Sequence, residues 1–219
     1  MGSGSAAAGA DPRVERSRIV IRQAALDELA EVGYGAFTIE SVAARAHAGK
    51  STIYRHWRDK VDLIADAFEN AHEHMVPGTA TGTAAERITL LVGHVAEVAV
   101  HSTFSRCIPA LIEGAQRDPR LREFLHDYSA KRRRSLAELI TEGIASGEFA
   151  ASIDPQLAVQ AILGAVFYGR LMSAEPFDPA RARELVQTVL RARGELSAGT
   201  GPPAAIPSAE SRRQRPAGR

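Results

Sequence analysis

The 219-residue sequence predicts an all-α protein of about nine helices, arranged as a small amino-terminal head and a larger helical bundle. Along most of the chain, apolar residues recur three and four positions apart, which is the period of an α-helix and not of a strand. Residue pairs that favour the start of a helix, such as Asp11-Pro12 and Asp154-Pro155, stand before these stretches. Hydrophobic residues make up 45% of the chain, enough to build a core, but no apolar run approaches the ~20 residues of a membrane span.

The first helix opens the head, which we place at residues 11–58 after a flexible leader of residues 1–10. The leader lacks the positive region and the long apolar core of a secretory signal. The helix is predicted to end at Gly33, because glycine readily takes the left-handed conformation that closes a helix. Its apolar stripe consists of Val14, Ile21, Ala25, Leu29 and Val32.

Two short helices joined by a tight turn follow between Thr38 and Lys60. Thr38 stands where its hydroxyl can accept from the free backbone N–H groups at the start of the first of them. The apolar stripe of that helix consists of Ile39, Val42, Ala43 and Ala46. His47-Ala48-Gly49 then interrupts the pattern, and Ile53 and Trp57, four residues apart, anchor the second helix.

The second short helix is amphipathic, and its surroundings are rich in cations. Residues 41–60 contain one acid, Asp59, and five cations, which are Arg45, Lys50, Arg55, Arg58 and Lys60. A helix that buries one side and presents hydrogen-bond donors on the other can lie in the major groove of DNA. The same pattern fits a three-helix surface with solvated charges, so the spacing alone leaves both interpretations open.

Residues 13–70 resemble the amino-terminal domain of the tetracycline-repressor (TetR) family of bacterial regulators. The similarity is carried by Ala24-Ala25, Gly33-Tyr34, Thr38, the stripe Ile39/Val42/Ala43, and the run Ser51–Trp57 followed by Lys60. The resemblance implies an all-helical homodimer with a DNA-reading head and a larger body that dimerises and binds a ligand. The carboxy-terminal half is less diagnostic, since that half varies widely within the family.

The resemblance also implies which side chains contact DNA. These are Thr38, Lys50, Ser51, Thr52, Tyr54, Arg55, His56 and Lys60. Arg55 is expected to make a bidentate contact with guanine, and Thr38 to hold a phosphate. Tyr54, His56 and Lys60 are expected to position the head against backbone phosphates. The alternative for His56 is a half-buried residue that is hydrogen-bonded within the head.

Three positions in the turn depart from the usual pattern of the family. His47 stands where the family commonly has glycine, and histidine enters the left-handed region more readily than most residues. Ala48 stands in place of a common valine and packs less. Gly49 stands where a serine often caps the second helix, and it supplies no side-chain acceptor. These departures weaken the expected phosphate contacts at the start of that helix.

The body is predicted to occupy residues 59–196, and residues 197–219 to form a disordered tail rich in Ala, Gly, Pro, Ser and Arg. Asp59 is expected to cap the helix that links the head to the body. Residues 77–83 are expected to break that helix from the next. The later helices are predicted to start near Ala84, to span about Ser105–Arg117 and Pro119–Gly147, and to start at Asp154-Pro155 and Asp178-Pro179. Pro109 lies either in a first turn or at a kink.

The last two helices are rich in small and apolar residues, which neighbours must cover. In the resembling family these helices pair with their twofold mates, and a twofold dimer requires a self-complementary surface of this kind. The residues expected at this interface are Ala158, Ala161, Ile162, Ala165, Gly169, Leu185, Val186 and Val189. The alternative is a core helix buried within one subunit.

The body is also predicted to enclose a mostly apolar ligand pocket between its helices. The candidate lining residues are His94, Val98, Phe104, Cys107, Leu111, Phe124, Tyr128 and Phe167, and the same residues also fit a plain core. The basic run Lys131–Arg134 lies inside a long helix, where consecutive side chains fan around the axis. We therefore interpret this run as a solvated face and not as a second nucleic-acid site.

Catalysis finds little support in the sequence. His94, Glu97 and His101 share a helical face and could offer a metal two nitrogens and a carboxylate, whereas Cys107 and His101 lack a third group to orient them. No phosphate-binding glycine loop and no Gly-x-Ser-x-Gly turn occurs, so neither a cofactor nor an enzyme is predicted. The single cysteine excludes an intramolecular disulfide and fits a reducing cytoplasm.

The sequence therefore predicts a cytoplasmic, ligand-responsive transcriptional regulator. It would bind a near-palindromic, double-stranded DNA operator as a homodimer, act as a repressor, and be released by a small-molecule effector. A net charge of +1 is compatible with this, because the basic excess is local to the short helices. The rival hypotheses are a DNA-binding helical protein without an effector and a metal-dependent enzyme using His94, Glu97 and His101.

Overall fold

The computed structural model describes residues 12–73 and 81–190, and within these ranges it is all-α, with no strand. The predicted leader, the predicted tail and residues 77–80 of the predicted break lie outside the described residues. The helices of the described ranges are α1 Pro12–Ala36, α2 Ile39–Arg45, α3 Lys50–His56, α4 Lys60–Glu73, α5 Ala84–His101, α6 Thr103–Arg117, α7 Pro119–Ala145, α8 Pro155–Met172 and α9 Ala182–Leu190. The predicted fold class is confirmed.

Helices in the body begin where a side chain satisfies their first backbone N–H groups. The carboxylate of Asp154 accepts from two such groups, and Pro155 is the first residue of α8, as predicted. α6 begins at Thr103, earlier than predicted, because the hydroxyl of Ser102 accepts from the N–H of Ser105 and caps the helix there.

Two prolines shape the helices that they interrupt or precede. Pro109 lies inside α6 and has no N–H, so the carbonyl of Ser105 loses its helical partner. The guanidinium of Arg170 on α8 lies 3.5 Å from that carbonyl oxygen. Pro179 opens a 3-10 turn, Pro179–Arg181, so α9 begins at Ala182 and not directly after Asp178 as predicted.

α1 extends beyond its predicted end but breaks at Gly33. Gly33 has φ 74° and ψ 171°, a combination that is open essentially to glycine alone, and the helix kinks there. Val32, predicted to belong to the apolar stripe, is 38% exposed, whereas Tyr34 beyond the break is buried. The break therefore turns Tyr34, and not Val32, towards the core.

One apolar core joins the head to the first part of the body. Ile53 and Trp57 of the head belong to the same buried cluster as Leu111 of α6 and Leu121 and Tyr128 of α7. α1 packs along α6, and α4 packs against both α1 and α7. The boundary predicted near residue 58 is thus crossed by a continuous core.

A second apolar core lies within the body and is built from α5, α7, α8 and α9. Its fully buried members include Ile88, Val92, Ile140, Val159 and Ile162. Among the described residues, no single helix is long and apolar enough to cross a membrane. Taken together, α5 and α6 have the length and composition of a membrane span, but the chain bends by 80° between them.

Candidate nucleic-acid interface and internal cavity

The predicted helix-turn-helix is present, with α2 and α3 joined by residues 46–49. His47 has φ 49°, the only positive φ of a residue other than glycine in the described ranges. The N–H of Ala48 reaches back to the carbonyl of Ala43 at 2.9 Å and closes α2. A left-handed histidine was predicted at this turn, and such a conformation costs on the order of 1 kcal/mol or more.

The inner face of α3 is fixed by a buried anchor and a hydrogen-bonded indole. Ile53 is fully buried and Trp57 is 4% exposed, which confirms both as core residues. The indole Nε1 of Trp57 donates to Oδ2 of Asp66 at 2.8 Å, and the buried guanidinium of Arg22 donates to the same oxygen at 2.8 Å. Asp66 therefore ties α3 and α1 to α4.

The outer face of α3 presents polar side chains to solvent. Tyr54 is 52% exposed, Ser51 and Arg55 are also exposed, and Thr52 is partly buried. Arg55 forms no ion pair with any residue in the described part of the chain. The side chain best suited to read a base edge is thus available on the surface.

The start of each short helix is organised differently. Thr38 caps α2, as predicted: its hydroxyl accepts from the N–H of Ser41 at 3.1 Å, and the Ser41 side chain accepts from the N–H of Thr38 at 3.3 Å. Gly49 caps α3 without a side-chain hydrogen bond, also as predicted. Lys50 pairs with Glu40 at 2.9 Å, and this hydrogen bond lowers the pKa of the Glu40 carboxyl.

His56 and Lys60 are more enclosed than the other predicted DNA contacts. The His56 ring is half-buried and meets the Trp57 ring edge-on at 5.6 Å, and its buried Nε2 has no hydrogen-bond partner among the described residues. Burial, followed by the charges of Arg55 and Arg18, lowers the pKa of His56. The Nζ of Lys60 donates to the carbonyl of Tyr34 at 3.2 Å and lies 3.9 Å from its ring centroid.

A polar junction connects the helix-turn-helix to the turn between α6 and α7. The hydroxyl of Tyr34 donates to the carboxylate of Asp118, which also caps α7. Arg120, next along α7, pairs with Asp59 and with Asp62 at the start of α4. These partners lie 58 to 84 residues apart in the sequence, and sequence reasoning did not find them.

The body contains a partly open cavity of about 490 Å³ between α5, α6, α7 and α8. Six of the eight predicted pocket residues line it: His94, Val98, Phe104, Leu111, Tyr128 and Phe167. Its volume lies within the range of about 300–1,000 Å³ that small-molecule sites occupy. The cavity also contacts Phe68 of α4, so it borders the core that continues into the head.

Cys107 and Phe124 do not line the cavity, and their assignment to it is wrong. The thiol of Cys107 faces α1 and donates to the carbonyl of Leu26 at 3.2 Å, and burial raises its pKa to about 12. Phe124 packs instead against the rings of Tyr128 and Phe68, at 5.6 and 6.4 Å between centroids. Helical spacing placed both residues near the body's interior but could not tell which neighbour each would face.

The basic run on α7 is only partly a solvated face. Lys131 and Arg134 are exposed as predicted, but Arg132 and Arg133 are partly buried and line the cavity. The guanidinium of Arg132 lies 3.1 Å from the centroid of the Tyr128 ring and donates to the Tyr128 carbonyl at 2.6 Å. The sequence signal that could have placed Arg132 at the cavity was its four-residue spacing from Tyr128, which was itself predicted to line the pocket.

The metal hypothesis fails on geometry. The side chain of His94 lines the cavity, whereas His101 and Glu97 form a 3.7 Å pair on the surface, where they are 67% and 60% exposed. Among the described residues, no group of three or more His, Cys, Asp or Glu side chains could hold a metal ion.

Four of the eight predicted dimer residues are buried within the protomer instead. Ala158, Ile162 and Val186 belong to the second core, and Gly169 packs against the backbone of Phe177. Ala165, Leu185 and Val189 are partly buried, and Ala161 is exposed. The apolar face of α8 that stays exposed shares only Ala161 with the predicted set, and it consists of Leu157, Ala161, Gly164, Tyr168 and Met172. The eight candidates were chosen for small size and apolar character, which did not separate the two faces.

Comparison with known families places both parts of the chain in one group of proteins. Residues 21–67 match the family model described as bacterial regulatory proteins, tetR family. Residues 79–189 match the model described as tetracyclin repressor-like, C-terminal domain.

Two similar proteins and one similar structure agree with these matches. The HTH-type transcriptional regulator YdeS of Bacillus subtilis is 30% identical over 181 residues, which cover 82% of this chain and 91% of YdeS. The DNA-binding transcriptional repressor TetR of Mycobacteroides abscessus is also 30% identical over 181 residues, covering 81% of this chain and 94% of that protein. The fold is shared with the transcriptional regulator FadR of Bacillus subtilis, solved in complex with stearoyl-CoA, at a TM-score of 0.64 and 24% identity over 79% of this chain and 97% of that one.

Proposed function

Because this chain belongs to the tetracycline-repressor (TetR) family of DNA-binding transcriptional regulators, we propose that it is a repressor that binds an inverted-repeat operator as a homodimer in the cytoplasm. A small-molecule effector in the cavity between α5 and α8 would release it. The observation that carries the proposal is the division of α3, which holds Ile53 and Trp57 in the core and turns Tyr54 and Arg55 outward. This division leaves a rigid helix with one face available to the major groove.

The residues on the exposed face of α3 and beside it have different proposed roles in DNA binding. Arg55 reads a guanine through two hydrogen bonds, since its guanidinium is exposed and unpaired among the described residues. Tyr54, Ser51 and Thr52 lie on the same short helix and contact the operator beside it. Thr38 binds a DNA phosphate at the start of α2. Lys50 contacts a second phosphate when its ion pair with Glu40 opens.

His56 and Lys60 have supporting roles in this proposal. The imidazole of His56 packs against Trp57 and, from there, positions the head against a backbone phosphate. Lys60 approaches a phosphate from above the Tyr34 ring, and its position is fixed by its bond to the Tyr34 carbonyl.

The apolar face of α8 supports dimerisation. Leu157, Tyr168 and Met172 are 64%, 65% and 74% exposed, and they follow one stripe along the helix. A twofold axis across this face would cover it with its own copy. The two recognition helices would then need to reach major grooves about 34–36 Å apart.

The effector would act on the core that the cavity shares with the head. Phe104, Leu111 and Tyr128 line the cavity and also pack in the cluster that contains Ile53 and Trp57. A ligand that moves α6 or α7 therefore also moves the junction at Tyr34 and Asp118. Repositioning the heads would lower operator affinity by the difference in ligand affinity between the two states, typically ~1–3 kcal/mol. In this proposal residues 11–58 read DNA and residues 59–196 bind the effector and the second subunit.

The experiment that tests the proposal is selection of bound duplexes from a random DNA pool, followed by sequencing. We expect an enriched inverted repeat with a preference over unrelated DNA of about 10³-fold or more. Equal retention of all sequences, with binding that depends only on salt, would instead identify a sequence-independent DNA-binding protein.

A further inference from the structure

We propose that the effector is an amphiphile with an anionic head and a long apolar body, and that the head binds Arg132 of α7. The inference rests on the proposed effector site and adds the chemistry of its ligand. Three observations support it: the wall of the cavity, the sign of its charged groups, and its unpaired buried nitrogen atoms.

Most of the cavity wall is apolar, and outside α7 its polar side chains are His94 of α5 and Ser105 of α6. α5 contributes Val95 and Val98, α6 contributes Ile108 and Leu111, and α8 contributes Leu163 and Phe167. The polar side chains are concentrated on α7. A ligand that fills this space must therefore be apolar along most of its length, with its polar group at one side.

Every ionisable side chain of the lining that carries a charge is basic. Arg132 and Arg133 line the cavity together with His94 and His126, and no acidic residue does so among the described residues. Glu69 of α4 is the acid whose charge raises the pKa of Arg132, and it is exposed on the surface and paired with Lys131 at 3.2 Å. A cationic ligand would meet only like charge in this lining, whereas an anion would neutralise a partly buried guanidinium.

Two buried nitrogen atoms of lining side chains lack hydrogen-bond partners among the described residues. They are Nε of Arg132 and Nε2 of His94. The guanidinium of Arg132 is partly buried, and this burial lowers its pKa. An unpaired buried nitrogen is costly, and a carboxylate or phosphate oxygen that binds the guanidinium from the cavity would compensate its charge.

The first test uses matched probes with the full-length chain and measures their affinities by calorimetry below the micelle concentration. The probes are dodecanoate, dodecanoyl-coenzyme A, 1-dodecanol and dodecyltrimethylammonium. We expect at least one anionic probe to bind about tenfold or more tightly than the alcohol, because charged hydrogen bonds are roughly twice as strong as neutral ones. The quaternary amine should bind most weakly.

The two anionic probes distinguish the sources of the head group. Tight binding of dodecanoate indicates a free carboxylate, and tight binding of the thioester alone indicates a phosphate-bearing carrier. The proposal is overturned if neither anion binds, or if the alcohol or the amine binds as tightly as the anions.

The second test compares Arg132→Gln with Arg134→Gln, a change of the same chemistry on an exposed neighbour outside the cavity. Arg132→Gln should weaken the preferred anion about tenfold or more and leave the alcohol nearly unchanged, while Arg134→Gln should change neither. Equal weakening of both probes would mean that Arg132 only shapes the cavity, and the assignment of the head group would fail. Because Arg132 also packs on Tyr128, the wild-type probe series decides the ligand class if this variant does not fold.

Operator binding is measured separately, so that the two proposals fail independently. If the chain binds its selected duplex but none of the anions, the proposed regulatory function is supported and the proposed ligand class is refuted. If the chain binds the anion but selects no DNA, the proposed ligand class is supported and the proposed repression is refuted. Release of the duplex by the preferred anion, reduced in Arg132→Gln, supports both.

Discussion

The contrast between two arginines of the head shows how surroundings decide the role of a side chain. Arg22 is 7% exposed and bonds to Asp66 and Glu15, so it holds α1 against α4. Arg55 is exposed on α3. The spacing of Ile53 and Trp57 was enough to turn Arg55 outward, but the partner of Arg22 lies 44 residues along the chain, beyond the reach of helical periodicity.

Replacing Arg55 with Ala should relax base preference at one position in each half-site. A bidentate contact with guanine contributes about 1–3 kcal/mol of discrimination against the wrong base. Repeating the duplex selection with the variant measures this loss. Arg117→Ala is the control, because Arg117 is exposed on α6 and pairs with Glu113. An unchanged base preference in Arg55→Ala would remove Arg55 from the reading surface.

Cys107 should resist alkylation in the folded protein. Its side chain is fully buried between α1 and α6, and at pH 8 a thiol with a pKa of about 12 is protonated and unreactive. Iodoacetamide labelling followed by mass spectrometry should detect modification only after urea unfolding. Rapid labelling without urea would mean that α1 and α6 separate in the native protein.

The same thiol should make stability depend on pH at the alkaline end. Its pKa is raised in the folded state from the ordinary value of 9.0 to about 12, so the contribution is fully present below pH 9 and is lost as pH rises towards 12. The free energy of unfolding from urea titrations should therefore fall more steeply over this range in the wild type than in Cys107→Ala. Parallel pH profiles would contradict the buried thiol.

At the scale of elements, the contact between the end of α1 and the end of α6 depends on a missing side chain. A Cβ at Gly114 would lie 2.5 Å from Cγ of Tyr34 and 2.7 Å from Cδ2 of Leu121. The Tyr34 ring cannot easily retreat, because its hydroxyl bonds to Asp118 and Lys60 covers its face. Gly114 is therefore required by close packing and not by its backbone conformation.

Gly114→Ala should destabilise the protein by about 1–3 kcal/mol through overpacking, despite the better helix propensity of alanine. Thermal unfolding measures the change. Gly93→Ala on α5 is the matched control: its Cβ would meet atoms only at 3.6 Å and beyond, so it should be neutral or stabilise by up to about 1 kcal/mol. The assignment of the close contact fails if both variants shift the midpoint alike.

Helix starts were predictable to the extent that the capping group is local. Asp154 and Thr38 cap the helices that they precede, because an acceptor and its N–H groups lie within three residues. The break at Gly33 was predicted, but the continuation of α1 to Ala36 and the open face of α8 were not predictable in the same way. Each depends on which neighbouring helix covers which side, and the eight dimer candidates were chosen without that information.

At the scale of the whole molecule, the period of the apolar residues predicted the all-α class, whereas the same period could not define the wall of the cavity. Six of its lining residues were named because large apolar and aromatic side chains cluster in the body. Arg132 and Arg133 were assigned to solvent, since charged side chains on a helix usually snorkel outward. In the structure α7 lies between the two cores, and these partly buried guanidinium groups line the cavity.

Assembly of two subunits should depend on the open face of α8, and Leu157→Glu tests this dependence. The residue is 64% exposed in the protomer, so a carboxylate there costs the folded monomer little, but it would be buried and unpaired in a twofold contact. Leu90→Glu is the matched control, with the same chemistry at a 57% exposed site on α5. Sedimentation velocity should show a monomer for Leu157→Glu and a dimer for Leu90→Glu, and only the former should lose affinity for the inverted repeat, because one head spans one half-site. A Leu157→Glu dimer of unchanged stability would place the subunit contact on another surface.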